Sequence, residues 1–413
     1  MKRLRFIIIA LLLYGPCDAP ARQTRIPGKE AAKQPSAEQT ISDRMFVKLQ
    51  GEDLYITAKL DPQNDIIYLF RRCMFNRLYT FYRVSSIPNS DPEPTTKPET
   101  TPQLLLNRAY SDNIGPFNIA GHGWCGANHK YLERTAPTAC NEGFTIHVDN
   151  RELRGDTRMW ARSVSVTSEN TILDPTRPGT DPAGREELHD KLCHETATYH
   201  IFRNSIEVQV SHRFCNPTPV CVAIYYGMQS MFEGEKQVLT VDGACADWTD
   251  TGQVTNFTKQ EYPHFRRYIE RSGHSYQSTY LLPEGLGDHA QIDEDDYLFV
   301  YASYGKSYHK LIGNKERVDG DTTRWRGLYT WFAEALTDDA TLLCYDGWLR
   351  DGHLLFIACK GACERSIEFP PYIDLNHFET VESSAGIQVV QAAKHALKIR
   401  ATQAGGCILR LKR

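Results

Sequence analysis

The densest run of reactive side chains in this sequence is GHGWCGANHKY, residues 121–131. An interior glycine costs a helix roughly 1 kcal/mol against alanine, and in a strand it leaves nothing to pack. The run therefore reads as a loop whose glycines let backbone approach something closely. Its side chains suit a polyhydroxylated ligand. Trp124 and Tyr131 offer ring faces, Asn128 donates and accepts, and His122 and His129 exchange protons near neutral pH. The two histidines have no carboxylate beside them at ligand spacing, so neither a metal nor another cofactor is expected.

A second run is AIYYGMQSMF, residues 223–232. Strand alternation places Tyr226 with Val222 and Ile224 on one face, and Tyr225 with Cys221 on the other. Gly227 is expected to break the strand and leave Gln229 on a rim. Two carboxylates complete the set. Glu195 lies in CHETATYH and Glu207 in NSIEVQVSHRF, where Gln209 shares the Glu207 face. On neighbouring antiparallel strands they form the nearest thing here to the acid pair of a glycoside hydrolase. DEDD at Asp293–Asp296 has clustered oxygens for calcium, but reads first as an exposed acidic turn. No G-x-S-x-G elbow, H-E-x-x-H, phosphate loop or dinucleotide glycine pattern occurs.

These types fit β-elimination of a uronic-acid polymer. That reaction needs a Tyr or His to move protons. It also needs donors that neutralise the uronate carboxyl as negative charge grows beside it. The expectation is a polysaccharide lyase with His122, Asn128, His129, Tyr226 and Gln229 in catalysis. Trp124, Tyr131, Tyr225, Glu195 and Glu207 would bind the polysaccharide or oligosaccharide. The alternatives are a hydrolase using Glu195 or Glu207, and a glycan-binding protein without catalysis. The formal net charge of −4 and the lack of a long basic run argue against a nucleic-acid partner.

The elements that must hold these residues read as strands. MFVKLQ, DLYITAKL, DIIYLFRR and LYTFYRV form a meander with turn residues between them. Hairpins are expected at Asp149-Asn150, at Arg203-Asn204, and at Asp351-Gly352 within TLLCYDGWLRDGHLLFIACKG. Helical candidates are few: residues 184–192, 261–272 and 326–336. The expected fold is all-β, a large antiparallel β-sandwich, jelly-roll or mutarotase-like double sheet, with a few short helices.

The domain reading is a signal peptide over residues 1–21, a solvated leader over 22–41, a β-meander over 42–84, a Pro/Thr-rich loop or linker over 85–103, and the main sandwich over 104–413. The start MKRLRFIIIALLLYG has basic residues, then an apolar run too short to span a membrane. Export to the periplasm or beyond is expected, with Cys17 as a possible lipid acceptor and no transmembrane segment. Twelve cysteines in an oxidising compartment suggest pairing. Cys215–Cys221 is the first candidate disulfide and Cys359–Cys363 the second.

Overall fold

The structure is a computed structural model. It describes residues 42–99, 103–108, 111–231, 267–272, 275–283 and 306–412, with the strand backbones at 237–240, 245–247, 254–258 and 297–301. The leader, Cys17 and the DEDD turn lie outside the described residues.

The fold is an all-β antiparallel sandwich, as its alternation and turn chemistry imply. Met45–Gln50, Asp53–Asp61, Asn64–Cys73 and Leu78–Pro88 pair in succession within a six-stranded sheet. A ten-stranded sheet has at its centre Ala139–Val148, Val164–Leu173, Lys191–Phe202, Ser205–Phe214, Thr322–Phe332 and Ser275–Leu281. A second six-stranded sheet holds Phe117–Ile119, Gly123–Cys125, Val220–Ser230 and Lys306–Arg317. Val47 and Phe70 of the first sheet, Val166 and Tyr199 of the ten-stranded sheet, and Phe117 and Tyr225 of the third share one apolar core. Period-2 alternation sends one side of each strand into that core. At the C-terminus a five-stranded and a three-stranded sheet enclose a core of their own around Leu355, Ile357, Leu397 and Leu409.

Two expected hairpin turns fall where turn chemistry puts them. Val148 pairs with Arg151, and Asp149 and Asn150 take φ of 47° and 67°. Phe202 pairs with Ser205 around Arg203-Asn204. The C-terminal hairpin is shifted by one residue. Leu349 pairs with Gly352, so Arg350-Asp351 make the tip.

The helical candidates are corrected. Residues 186–188, 267–272 and 322–332 are strands, and the described helical elements, Ser111–Asn113 and Tyr131–Glu133 among them, are 3₁₀ turns. In 326–336 the apolar residues serve two layers at once. Trp331 faces the main core, while Leu328 and Phe332 face the C-terminal sheet. That two-sided burial imitates a helical pattern.

The expected disulfides do not form, since Cys215, Cys221, Cys359 and Cys363 are free thiols. Cys215 follows a strand of the ten-stranded sheet, whereas Cys221 lies in a strand pairing with residues 117–119 and 306–317 of another sheet. The intervening turn therefore joins sheets rather than closing a small loop. No helix among the described residues is long and apolar enough to cross a membrane.

Candidate functional site

The two runs singled out above do meet. Phe117–Ile119 pairs with both Gly123–Cys125 and Val220–Ser230. The Trp124 ring stacks on Tyr226 at 5.7 Å and on His129 at 5.3 Å, and Tyr226 stacks on Tyr308.

The meeting is a clasp around Asp112. Its carboxylate accepts from the Asn128 main-chain N–H at 3.2 Å and from the Tyr308 hydroxyl at 3.1 Å. Gln229 Nε2 donates to the Tyr308 oxygen at 2.7 Å. The loop backbone is held from outside as well: Asn76 Nδ2 donates to the Ala127 and His129 carbonyls, and Phe75 N–H to Asn128 Oδ1. Gly121, Gly123 and Gly126 all have positive φ, so the glycines serve the path of this loop.

Burial then withdraws several candidates from direct contact with a polymer. Gln229 is 1% exposed, inside the strand rather than on a rim, because Gly227 does not end that strand. A Cβ on Gly227 would lie 2.6 Å from Leu311, so its glycine answers a packing demand. Tyr225 is a core residue that donates to the Ile114 carbonyl and accepts from Trp325 Nε1. A register shift between Tyr225 and Tyr226 buries both, which simple alternation did not anticipate. Tyr131 sits in a small apolar cluster with Ala136 and Leu188. His122 and His129 are half-buried, and His129 Nδ1 lies 3.0 Å from Glu133.

The carboxylate pair is not formed. Glu195 and Glu207 do lie on adjacent strands, but Glu195 is opposite His212 and Glu207 opposite His200. The odd offset puts them on opposite faces, about 17 Å apart along the strand. Glu195 belongs to a buried polar row on the inner face. Asn141 Nδ2 donates to Asn170, Asn170 Nδ2 to Glu195 Oε1 at 2.9 Å, and His212 Nε2 bonds Glu195 Oε2 at 3.0 Å. Glu195→Ala strands the Asn170 amide and the His212 ring, each orphan costing roughly 1–3 kcal/mol. The expected loss is about 3 kcal/mol in urea unfolding, with Glu195→Gln losing less. An Ala variant as stable as the parent would show that the row carries no load.

The outer face of the same sheet is different. His147, Ser165, His200, Glu207, Leu328 and Tyr280 are successive cross-strand partners, so one transverse row crosses six strands. Its character changes midway. Leu328 and Tyr280 are covered by Leu343, Tyr345, Leu354 and Phe356 of the C-terminal sheet. His147 and Ser165 stay half-exposed and, with the nearly buried His200 beside them, line an open cleft of about 920 Å³. A parallel row adds Thr167, Thr198 and Gln209 to its floor. The walls bring Arg162, Arg203, Trp348 and Arg350.

Glu207 stands at the boundary as a positioning residue. It accepts from Arg326 Nε and Gln209 Nε2, both at 2.6 Å, and from the Arg350 main-chain N–H at 2.8 Å. Arg326 also holds Asp351 at 2.9 Å, and the Trp348 N–H donates to Ser205 Oγ. Together these bonds dock the 350–351 hairpin tip against the cleft. Trp348 stacks on His353 at 3.9 Å, and Arg203 lies 5.2 Å above the Trp348 ring.

His200 is 7% exposed, and no protein hydrogen bond to its ring occurs among the described residues. Burial holds its imidazolium below the ordinary histidine range. The Arg350 and Arg326 guanidinium groups act in the same direction and Glu207 opposes them. The ring is therefore neutral at pH 7, as a proton acceptor must be. Part of this cleft is legible in the sequence, since Gln209 and Glu207 alternate away from Ile206 and Val208. Arg203, Trp348 and Arg350 have no such signal, because they arrive from a hairpin tip and a distant hairpin. Among the described residues no three His, Cys, Asp or Glu side chains converge as a metal site.

No protein-family model and no curated protein sequence matches the chain. Solved structures resemble it in shape. The galactosidase domain of an alpha-galactosidase–sucrose kinase is 10% identical over 68% of this chain, with a TM-score of 0.37. A GH36 alpha-galactosidase from Geobacillus stearothermophilus, in complex with stachyose, is 8% identical over 71% of the chain, with a TM-score of 0.36. In both cases the match spans 41% of the other protein's length. Heparinase III aligns with 76% of this chain at 7% identity and a TM-score of 0.27, over 40% of its own length. At these identities and TM-scores the likeness assigns no activity to this chain.

Proposed function

We propose that the protein is carbohydrate-active, and that it cleaves a uronic-acid-containing polysaccharide by β-elimination in the cleft on the outer face of the ten-stranded sheet. The observation that carries this reading is the row His147–Ser165–His200, which lines an open cleft walled by arginines. Its volume of about 920 Å³ suits several sugar units.

The chemistry follows from the groups. The neutral His200 ring takes the C5 proton of a bound uronate. The electron pair left at C5 delocalises into the carboxyl, whose negative charge Arg350 offsets. The C4–O bond then breaks with formation of the C4–C5 double bond. His147, two strands away and about 10 Å at the backbone, gives a proton to the leaving oxygen. Trp348 and the threonine and glutamine side chains hold the neighbouring sugar rings. No acid pair is needed, and Glu195 and Glu207 are both engaged elsewhere.

The test is incubation with a panel of uronic-acid polysaccharides, followed by ultraviolet absorbance of the unsaturated product and by a reducing-end assay. Absorbance rising together with reducing ends is the expected result. New reducing ends without absorbance would indicate hydrolysis. Binding without either signal would leave a glycan-binding protein.

A further inference from the structure

We infer that the cleft contains a second anion subsite, built by Arg203, which takes a negative group on a sugar next to the reacting one. The group is a sulfate ester or a further carboxylate. The substrate is then a polyanionic glycan rather than one with isolated uronates. This rests on the glycan reading of the cleft given above.

Arg203 occupies the first position of the two-residue turn between Phe202 and Ser205, with φ of 49°. Turn chemistry favours Asn, Asp or Gly there, and a non-glycine residue in this region carries a steric cost. The backbone is anchored nonetheless, since the Tyr68 hydroxyl donates to the Arg203 carbonyl at 3.0 Å. The guanidinium lies 5.2 Å from the Trp348 ring centre and 5.4 Å from that of Tyr372. A cation held over ring faces spends none of its N–H donors on hydrogen bonds there.

The charges around it point the same way. Arg326 is engaged by Glu207 and Asp351. Arg162 meets Asp43 at 3.9 Å, with both side chains exposed. Among the described residues no carboxylate pairs with the Arg203 or Arg350 side chain. Two cations therefore face one cleft in a chain whose formal net charge is −4. A neutral sugar gives neither guanidinium a partner of matching charge. A carboxylate or sulfate on each of two adjacent sugars does, through paired N–H···O bonds.

The experiment titrates the purified protein with dextran sulfate, polygalacturonate and neutral dextran by calorimetry, at low salt and at about 0.15 M. Wild type is expected to bind at least one polyanion and not neutral dextran. Arg203→Gln should weaken that binding about tenfold or more and make it less salt-dependent. Arg203→Lys should recover part of it, and Arg400→Gln, in the three-stranded sheet and not among the residues lining the cleft, should leave it unchanged. Circular dichroism and melting confirm that each variant folds. A larger loss on dextran sulfate assigns the subsite to sulfate; a larger loss on polygalacturonate assigns it to carboxylate. The inference is overturned if wild type binds neither polyanion, if neutral dextran binds equally well, or if Arg203→Gln binds as wild type does. Its fate is separable from that of the lyase reading. Arg203-dependent binding with no unsaturated product keeps the subsite and removes the lyase. Unsaturated product formed equally by Arg203→Gln does the reverse.

Discussion

His200→Ala is expected to lower kcat/KM for formation of the unsaturated product by about 10²- to 10⁴-fold, the usual contribution of a positioned general base. The loss should appear in kcat, because the alanine leaves the arginines and Trp348 that bind the chain in place. The pH dependence has a definite sign. Burial lowers the His200 pKa, so the base form persists to lower pH than for an ordinary histidine near 6.5. The acid limb of kcat/KM, which reports the free enzyme, is therefore expected below about 6.5. The stability linkage has the same origin. Below about 6.5 the unfolded chain binds the proton more readily than the folded one, so His200 erodes stability as pH falls. A His200→Ala variant with parental kcat, or an acid limb lying well above 6.5, would remove His200 as the base. The first outcome would direct attention back to His129 and the Trp124 loop.

The second large effect concerns folding. Gly115 has φ of 93°, and a Cβ built on it would lie 1.5 Å from the Tyr226 carbonyl oxygen. A main-chain oxygen cannot swing aside as the end of a long side chain can. The clasp would have to open, separating Asp112 from Gln229 and Tyr308. Gly115→Ala is expected to lose more than about 4 kcal/mol, the range reserved for severe local conflicts, and to yield little folded protein. Gly121→Ala is the control. Its φ is 76°, but nothing lies within 4 Å of the added carbon. It should lose only the backbone term, about 1–2 kcal/mol. Equal melting temperatures for the two variants would show that the clash relaxes at no cost, and that the clasp is looser than its hydrogen bonds imply.

The loop at 121–131 illustrates how a correct sequence observation takes its meaning from packing. Its glycines and aromatic residues are unusual for a chemical reason, and Trp124 does reach Tyr226. Yet the polar groups of the run face Asp112, Asn76 and Glu133, and so assemble a joint. Gly126 meets the far end of the strand that carries Ser165, where the Leu173 N–H donates to the Thr138 carbonyl just beyond the loop. The Cβ of a residue at Gly126 would touch Ile172, seven positions from Ser165, or about 24 Å along a strand. The loop and the cleft are therefore two places.

What the sequence determined by itself was local. Alternation and turn chemistry specified the antiparallel strands, the Asp149-Asn150 and Arg203-Asn204 hairpins, and the sidedness of Glu207 and Gln209. These depend on neighbours a few residues apart, whose preferences are written in consecutive side chains. What only the tertiary structure decided was register and cover. Register set Glu195 and Glu207 on opposite faces, a one-residue matter that adjacent strands alone cannot declare. Cover decided which half of the outer face became a cleft: Leu328 and Tyr280 attract the C-terminal sheet because burying their apolar area is favourable, while His147, Ser165 and His200 do not. Arg350 and Trp348, more than 140 residues from His200 in the chain, reach it because Glu207 and Ser205 hold their backbone there.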